Sequence, residues 1–522
     1  MDRAAFSRRT FLGAAGAAGA AGAVAAAGAA GCAPGEHAGG GEASRSPAPK
    51  PPAKENDRPG DAGWRLTRRG AEHEVEGYAD RTSVASGDPF RLHVHTTAKT
   101  FRAEAFRMGW YGGTLARKVW ESGPLKGTRQ PAAKVEPTTY TVSADWPATT
   151  EVPTKDWPEG SYLIRLTADS GGQRYVPVTV RSAATQGRVV IVNAVATWQA
   201  YNEWGGHSLY NGPTGDDTDR SRAVSCDRPY HEDGDGLFLT YEQPVVALAE
   251  RLGLPLAYVT NMDIDEDPHL LDGATAVLSL GHDEYWTQPM RDRVTAARGR
   301  GTNVAFLGAN ACFRRIRLEK TALGGRRLVV CYKNDWPRDP GRREGEPPTT
   351  NFREPPHAQP ENSLTGTLYE SNPTTADYVV TSPGHWLFEG TGVRQGSKFP
   401  GLVGTEYDRA NGIGTTPRPM EVISHSPLTC RGIRSFANSA YYTASSGAGV
   451  FNTGTMRWVQ STAGRGGHGI DATTARFTTR VTENLLRAFA AGPAGRTHPA
   501  KDNLDTFHPY AGDPTWSKRN LW

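Results

Sequence analysis

The stretch Ala274-Thr275-Ala276-Val277-Leu278-Ser279-Leu280 runs directly into Gly281-His282-Asp283-Glu284-Tyr285-Trp286, and it sets the expected fold. The apolar run has the length of a buried strand. It stops at glycine, delivers three ionisable side chains together, and is followed by a helical pattern from about Gln288. That is the layout of an α/β sheet, in which the ligand crevice lies beyond the carboxyl ends of the strands. His282, Asp283 and Glu284 would be costly to bury there unless they bind a metal, move protons or pair with one another.

Working outward, Arg188-Val189-Val190-Ile191-Val192-Asn193-Ala194 reads as another buried strand, residues 242–252 as a helix with one apolar face, and residues 256–260 and 302–307 as further strands. Strand and helix in alternation predict a parallel sheet covered on both faces. The expected fold class is therefore α/β, doubly wound, glutamine-amidotransferase-like or flavodoxin-like, over residues 187–492. Upstream, residues 60–184 hold short alternating segments broken by Gly and Pro, among them residues 90–95, 103–108, 160–166 and 175–180. These predict an immunoglobulin-like β-sandwich. Within it, Met108-Gly109-Trp110-Tyr111-Gly112-Gly113 reads as a turn packed on the neighbouring domain in preference to an aromatic sugar platform. His93 and His95 share a strand face without a third metal ligand in view.

The chain has 522 residues, enough for two domains with sizeable cores. Its net charge of +4 falls to +2 when Arg3, Arg8, Arg9 and Asp2 leave with the N-terminal segment, which argues against a nucleic-acid partner. Ser7-Arg8-Arg9-Thr10-Phe11-Leu12 and the Ala/Gly-rich run behind it look like a twin-arginine signal over residues 1–32. Ala29-Ala30-Gly31-Cys32 resembles a lipoprotein cleavage box, with Ala29 where a larger aliphatic residue is usual. Residues 33–59 read as a flexible linker and 493–522 as a C-terminal tail. The expected location is extracellular or cell-envelope, with membrane contact only through a lipid on Cys32. In that oxidising setting Cys226, Cys312, Cys331 and Cys430 are expected to form one or two disulfides, and no pair has zinc-thiolate spacing.

Four segments fall on one expected sheet edge: residues 198–206, 239–244, 282–284 and 308–311. Here the sequence resembles the catalytic C-terminal domain of the N,N-dimethylformamidase large (beta) subunit and its relatives. The likeness rests on residues 198–206, 281–286, 308–310 and Gly401-Leu402-Val403-Gly404-Thr405-Glu406-Tyr407-Asp408, and it covers most of 187–490. It implies one mononuclear non-haem ferric iron per chain, held by two tyrosinates and a glutamate, with a nearby histidine needed for activity. By motif position Glu284 matches the glutamate ligand, His282 the histidine and Asn310 a site asparagine. Tyr201 and Tyr241 are the expected tyrosine ligands, with Tyr210 the substitute, and Glu406 joins the catalytic set.

The implied activity is exported, iron-dependent hydrolysis of a small amide or related C–N bond. His282 would orient or deprotonate water, and Asn310 would hydrogen-bond the oxyanion. A homo-oligomer or a separate small subunit is the implied partner. Duller readings stand beside each assignment: Tyr201 and Tyr241 closing a domain interface, Glu284 paired with an arginine, Asn310 tying down its turn, Glu406 and Asp408 capping a loop. Arg314-Arg315-Ile316-Arg317 reads as a solvated or ion-paired face. A non-catalytic envelope module binding glycan or protein remains the alternative function. A metal-free hydrolase would need a nucleophile elbow, and no Gly-x-Ser-x-Gly is apparent at a strand end.

Overall fold

Alternating apolar residues along Phe90–Thr96, Thr100–Met108 and Gly160–Ala168 bury one face of each strand into a shared core that includes Phe90, Leu92, Val94, Phe101, Ala103, Ile164 and Leu166. These strands belong to two sheets of a computed structural model that describes residues 54–507 apart from 216, 413, 465 and 466. The expected signal over residues 1–32 with Cys32, residues 33–53 of the expected linker and residues 508–522 of the expected tail lie outside the described residues. One sheet has three strands in the order Val75–Ala79, Phe90–Thr96, Thr150–Val152. The other has the order Ser83–Ala85, Gln173–Arg181, Gly160–Ala168, Thr100–Met108, Ala116–Glu121, with Leu125–Lys126 pairing beside Thr100–Met108.

The site is carried by a seven-stranded sheet in the order Leu256–Thr260, Val189–Asn193, Ala276–Gly281, Asn303–Gly308, Gly449–Asn452, Ile433–Thr443, Met420–Cys430. Its first five strands pair in parallel and the last two antiparallel. Val189, Ile191, Leu278, Leu280, Ala305 and Leu307 fill one face, while Val190, Val192, Val277, Val304 and Phe306 fill the other. Continuous apolar runs are what a strand covered on both faces requires.

The expected doubly wound α/β architecture is overturned. The described chain is β-rich, with about 34% strand against 21% helix, distributed over several sheets. The difference arises after Gly308. In place of further strand–helix units, the chain forms the hairpin Arg314–Thr321 with Gly324–Val330, the pair Leu368–Val379 with Lys398–Arg409, and the long strands Met420–Cys430 and Ile433–Thr443. These pairs run antiparallel, so no crossover helices are called for. No helix among the described residues is long and apolar enough to cross a membrane.

The Met108–Gly113 motif lies where the N-terminal sheets meet the seven-stranded sheet. The buried Arg107 guanidinium donates to both oxygens of Glu250, at 2.6 and 3.1 Å, and to the Tyr111 hydroxyl at 2.9 Å. Tyr258 donates to the same carboxylate at 2.5 Å, and Arg251 lies over the Trp110 ring. The expected disulfides are absent: Cys226, Cys312, Cys331 and Cys430 are buried free thiols. Burial pushes the Cys226 thiol up to about 12 and that of Cys312 to about 11, which keeps Cys312 a poor nucleophile at neutral pH.

Candidate functional site

Glu284 reaches its place because the strand Ala276–Gly281 ends in a left-handed turn. Gly281 has φ of +57°, and a Cβ there would lie 2.5 Å from the Tyr241 Cβ, so only glycine fits. The next residues are then pinned from the side: Phe313 and Arg314 donate their backbone N–H groups to the Glu284 carbonyl, at 3.0 and 2.9 Å. Tyr201 is the last residue of the helix Val195–Tyr201. That helix is anchored at its start by Glu242, whose buried carboxyl accepts from Asn193 Nδ2, Ala194 N and Trp198 Nε1. Burial pushes Glu242 up to about 8 against those hydrogen bonds. Midway along, Thr197 Oγ1 accepts from Tyr285 N at 3.2 Å and ties the helix to the turn carrying Glu284.

Three acidic oxygens meet at this point. Tyr201 and Tyr210 each donate to Glu284 Oε2 at 2.6 Å, and their hydroxyls are 2.9 Å apart. The two rings lie 4.5 Å apart between centroids. Arg314 Nε holds the other oxygen, Oε1, at 3.3 Å. Burial is the largest influence on Glu284 and favours the neutral acid. The Arg314 guanidinium, His282, Lys333 and the Tyr201 hydroxyl outweigh it and hold the carboxyl below its ordinary range.

Beside the triad stands His282, buried, with Nε2 3.7 Å from Glu284 Oε2 and Nδ1 4.0 Å from Glu406 Oε2. Glu406 comes from the strand Lys398–Arg409 and accepts from Asn310 Nδ2 at 2.8 Å and Asn372 Nδ2 at 3.2 Å. Asn310 adopts φ of +60°, a conformation asparagine tolerates, with its backbone N–H donated to Asp408 at 2.8 Å. The carboxylate of Glu406 dictates the orientation of the Asn310 amide, since rotating it would set carbonyl against carboxylate. Asn310 therefore serves Glu406 first, and its Oδ1 has no hydrogen-bond partner among the described residues. This differs from the oxyanion-donor role expected of it.

Of the expected residues, the fold thus brings Tyr201, Glu284, His282, Glu406 and Asn310 into one neighbourhood. Tyr241 does not join the triad: its hydroxyl donates to Met456 Sδ at 3.3 Å, and its ring lies 5.8 Å from that of His282. Tyr210 takes the second phenol position. Arg314 and Arg317 take the ion-paired form of the expected face: Arg314 is buried against Glu284, and Arg317 pairs with Asp339 and Glu319. Lys333 joins the site with no local motif to mark it; its Nζ lies 3.4 Å from the Tyr210 ring centroid. His93 is spent on the Trp146 carbonyl and His95 on Gln130 N. A small cavity of about 30 Å³ bordered by Tyr78, Asn193, Trp198 and Tyr230 lies at the junction with the N-terminal sheets, with none of the triad residues in its lining.

A hard cation makes definite demands on such a donor set. Among the described residues no group of three or more His, Cys, Asp or Glu side chains is placed to hold a metal ion. The phenol–carboxylate triad is a different donor set. Neighbouring oxygens on an octahedral cation with bonds of about 2.0 Å are roughly 2.8–2.9 Å apart, and the triad oxygens stand 2.6–2.9 Å apart. Two phenolates and a carboxylate would balance a trivalent charge, so the residues fit ferric iron.

The scaffold is β-rich, and its buried Glu284 carboxylate is shared by two phenols and flanked by the His282 imidazole. The chain belongs to the N,N-dimethylformamidase beta subunit-like, C-terminal family, whose model matches residues 102–471. That match begins inside the N-terminal sheets. No curated protein matches the chain. Among solved structures it is similar to a cycloisomaltooligosaccharide glucanotransferase of Paenibacillus sp. crystallised with cycloisomaltoheptaose, at 14% identity over 24% of this chain and 17% of that one, with a TM-score of 0.14. So slight a likeness carries no argument.

Proposed function

We propose that this protein is an iron-dependent hydrolase that cleaves the C–N bond of a small amide or a related substrate. The observation that carries the reading is the meeting of the Tyr201, Tyr210 and Glu284 oxygens within 2.9 Å of one another, beside His282. The family's name supports the amide class, with N,N-dimethylformamide as its type.

Tyr201, Tyr210 and Glu284 would hold the ion, with Arg314 fixing Glu284 Oε1 so that Oε2 faces the phenols. Ferric iron bound there would supply Lewis acidity toward the amide carbonyl and toward water. His282 takes the proton of the attacking water and passes it to the leaving nitrogen, as a C–O bond forms and the C–N bond breaks. Glu406 lies near Nδ1 and favours the charged imidazolium between those transfers, and Asn310 and Asn372 hold Glu406 in line.

Purified full-length protein reconstituted with ferric iron is expected to retain stoichiometric metal, to show a visible tyrosinate-to-iron absorption, and to release amine from small formamides. Colourless protein that retains no iron and releases no amine would sink the reading and favour a binding module. Ser7–Leu12 supports export by the twin-arginine route, and Cys32 supports lipid attachment. Exchanging Arg8 and Arg9 for lysine should leave the precursor inside the cell. The beta-subunit relationship supports a small accessory subunit or a homo-oligomer as partner, which the assembly size and activity of the isolated chain would test.

A further inference from the structure

We infer that Arg228 and Lys333 are positioning residues for the phenol pair, two buried basic side chains that grip the backbone between Tyr201 and Tyr210 by its carbonyl groups. The inference rests on the reading of Tyr201 and Tyr210 as one functional unit.

For the two phenols to meet, the chain leaving the helix at Tyr201 must reverse within the segment 202–209. Leu209 N–H closes that reversal by donating to the Ala200 carbonyl at 3.0 Å. A tight reversal turns carbonyl oxygens inward, where they need donors. Arg228, fully buried, supplies them: Nη2 donates to Asn202 O, and Nη1 to Trp204 O and His207 O, each at 2.9 Å. Gly205, with φ of +77°, lets successive carbonyls face one guanidinium, and a Cβ on it would lie 2.6 Å from Val142 Cγ1. Lys333 Nζ completes the set, donating to Leu209 O at 2.6 Å while lying against the Tyr210 ring.

The choice of carbonyls points to purpose. Arg228 grips the residue directly after Tyr201, and Lys333 the residue directly before Tyr210. The hydrogen bonds of Arg228 go to backbone carbonyls and to no carboxylate, and so does that of Lys333 Nζ. Burying a charge without a counter-ion is expensive, and it depresses Arg228 to about 10 through loss of solvation. A neutral donor would satisfy one carbonyl at lower cost. The planar fork of arginine serves three from different residues at once and so sets the shape of the whole segment.

The test uses full-length protein with Arg228→Lys, Lys333→Met and, as a buried control at the junction with the N-terminal sheets, Arg107→Lys. Hydrogen exchange of residues 202–210 is read in metal-free protein, and the visible absorption is read during ferric titration. Arg228→Lys is expected to speed exchange across 202–209 and to weaken iron retention by about tenfold or more. Lys333→Met should do the same at 209–210. Arg107→Lys should lower the melting temperature with neither change. Folded Arg228→Lys protein with wild-type exchange and wild-type titration overturns the inference. If Arg228→Lys does not fold, unchanged exchange and titration in Lys333→Met overturn it instead. Should wild-type protein develop no visible band, the iron reading fails, while the exchange comparison still decides the clamp.

Discussion

The hydroxyls of Tyr201 and Tyr210 lie 2.9 Å apart and both donate to one oxygen of Glu284. A single carboxylate oxygen accepting two phenols is strongly committed: it cannot also face Arg314, which is left with Oε1. The carboxylate is thereby split into a structural oxygen and a site oxygen. This division of labour is how an outer partner orients a ligand.

The second phenol gives the sharpest test. Tyr210→Phe should abolish the visible absorption and the retention of iron, because it removes one of three triad oxygens. Tyr241→Phe should leave both intact, since the Tyr241 hydroxyl is spent on Met456. Metal analysis beside the absorption spectrum reads both variants. The reverse pattern would restore Tyr241 as the ligand.

Arg314 and Glu284 form a buried pair, and removing one partner strands the other's charge. Arg314→Met should cost about 3–5 kcal/mol in urea unfolding. The double variant with Glu284→Gln should recover part of that loss, because no buried carboxylate is left uncompensated. A single-variant cost below about 1 kcal/mol would mean that the pair behaves as a solvated one.

Part of this site is legible in the residues alone: an apolar run ending at Gly281 announces a strand with His282 and Glu284 at its tip. Tyr201 is legible as a member of the segment 198–206 that follows the strand Val189–Asn193 on the same expected sheet edge. The second phenol, Tyr210, is legible only as a substitute for Tyr241. Tyr210 arrives through a backbone reversal gripped by Arg228 and Lys333, and Lys333 lies far along the chain, so no window around Tyr210 contains the cause of its position. The fold class fails for a related reason. Segments such as Lys398–Arg409 and Met420–Cys430 carry Gly, Pro, Ser and Thr among their apolar residues, which hides long strands whose pairing is decided by distant partners.

The four buried thiols predict indifference to reducing agents. Cys226, Cys312, Cys331 and Cys430 hold no disulfide, so dithiothreitol should leave the melting temperature unchanged. A thiol reagent should label them only after unfolding, because burial raises all four above the ordinary thiol range. Fewer than four thiols titrating in unreduced, denatured protein that lacks residues 1–32 would show that a bridge forms after all.

Asp408 should make stability fall as pH rises through neutrality. Burial, its largest influence, pushes the carboxyl from 3.8 to about 7, against hydrogen bonds from Asn310, Asn452 and Thr367. Between those values the folded protein keeps a proton that the unfolded chain has released. The contribution is therefore whole below the unfolded value and lost as pH rises through the folded one, by roughly 4 kcal/mol at most at about 1.4 kcal/mol per unit. Asp408→Asn cannot ionise, so its urea midpoint should show a flatter slope between about pH 5 and pH 7 than wild type. Parallel slopes would mean that Asp408 is charged throughout. The substituted amide carbonyl can still accept the Asn310 N–H, so the turn with φ of +60° survives. Flattening would then report a lost charge and not a lost turn.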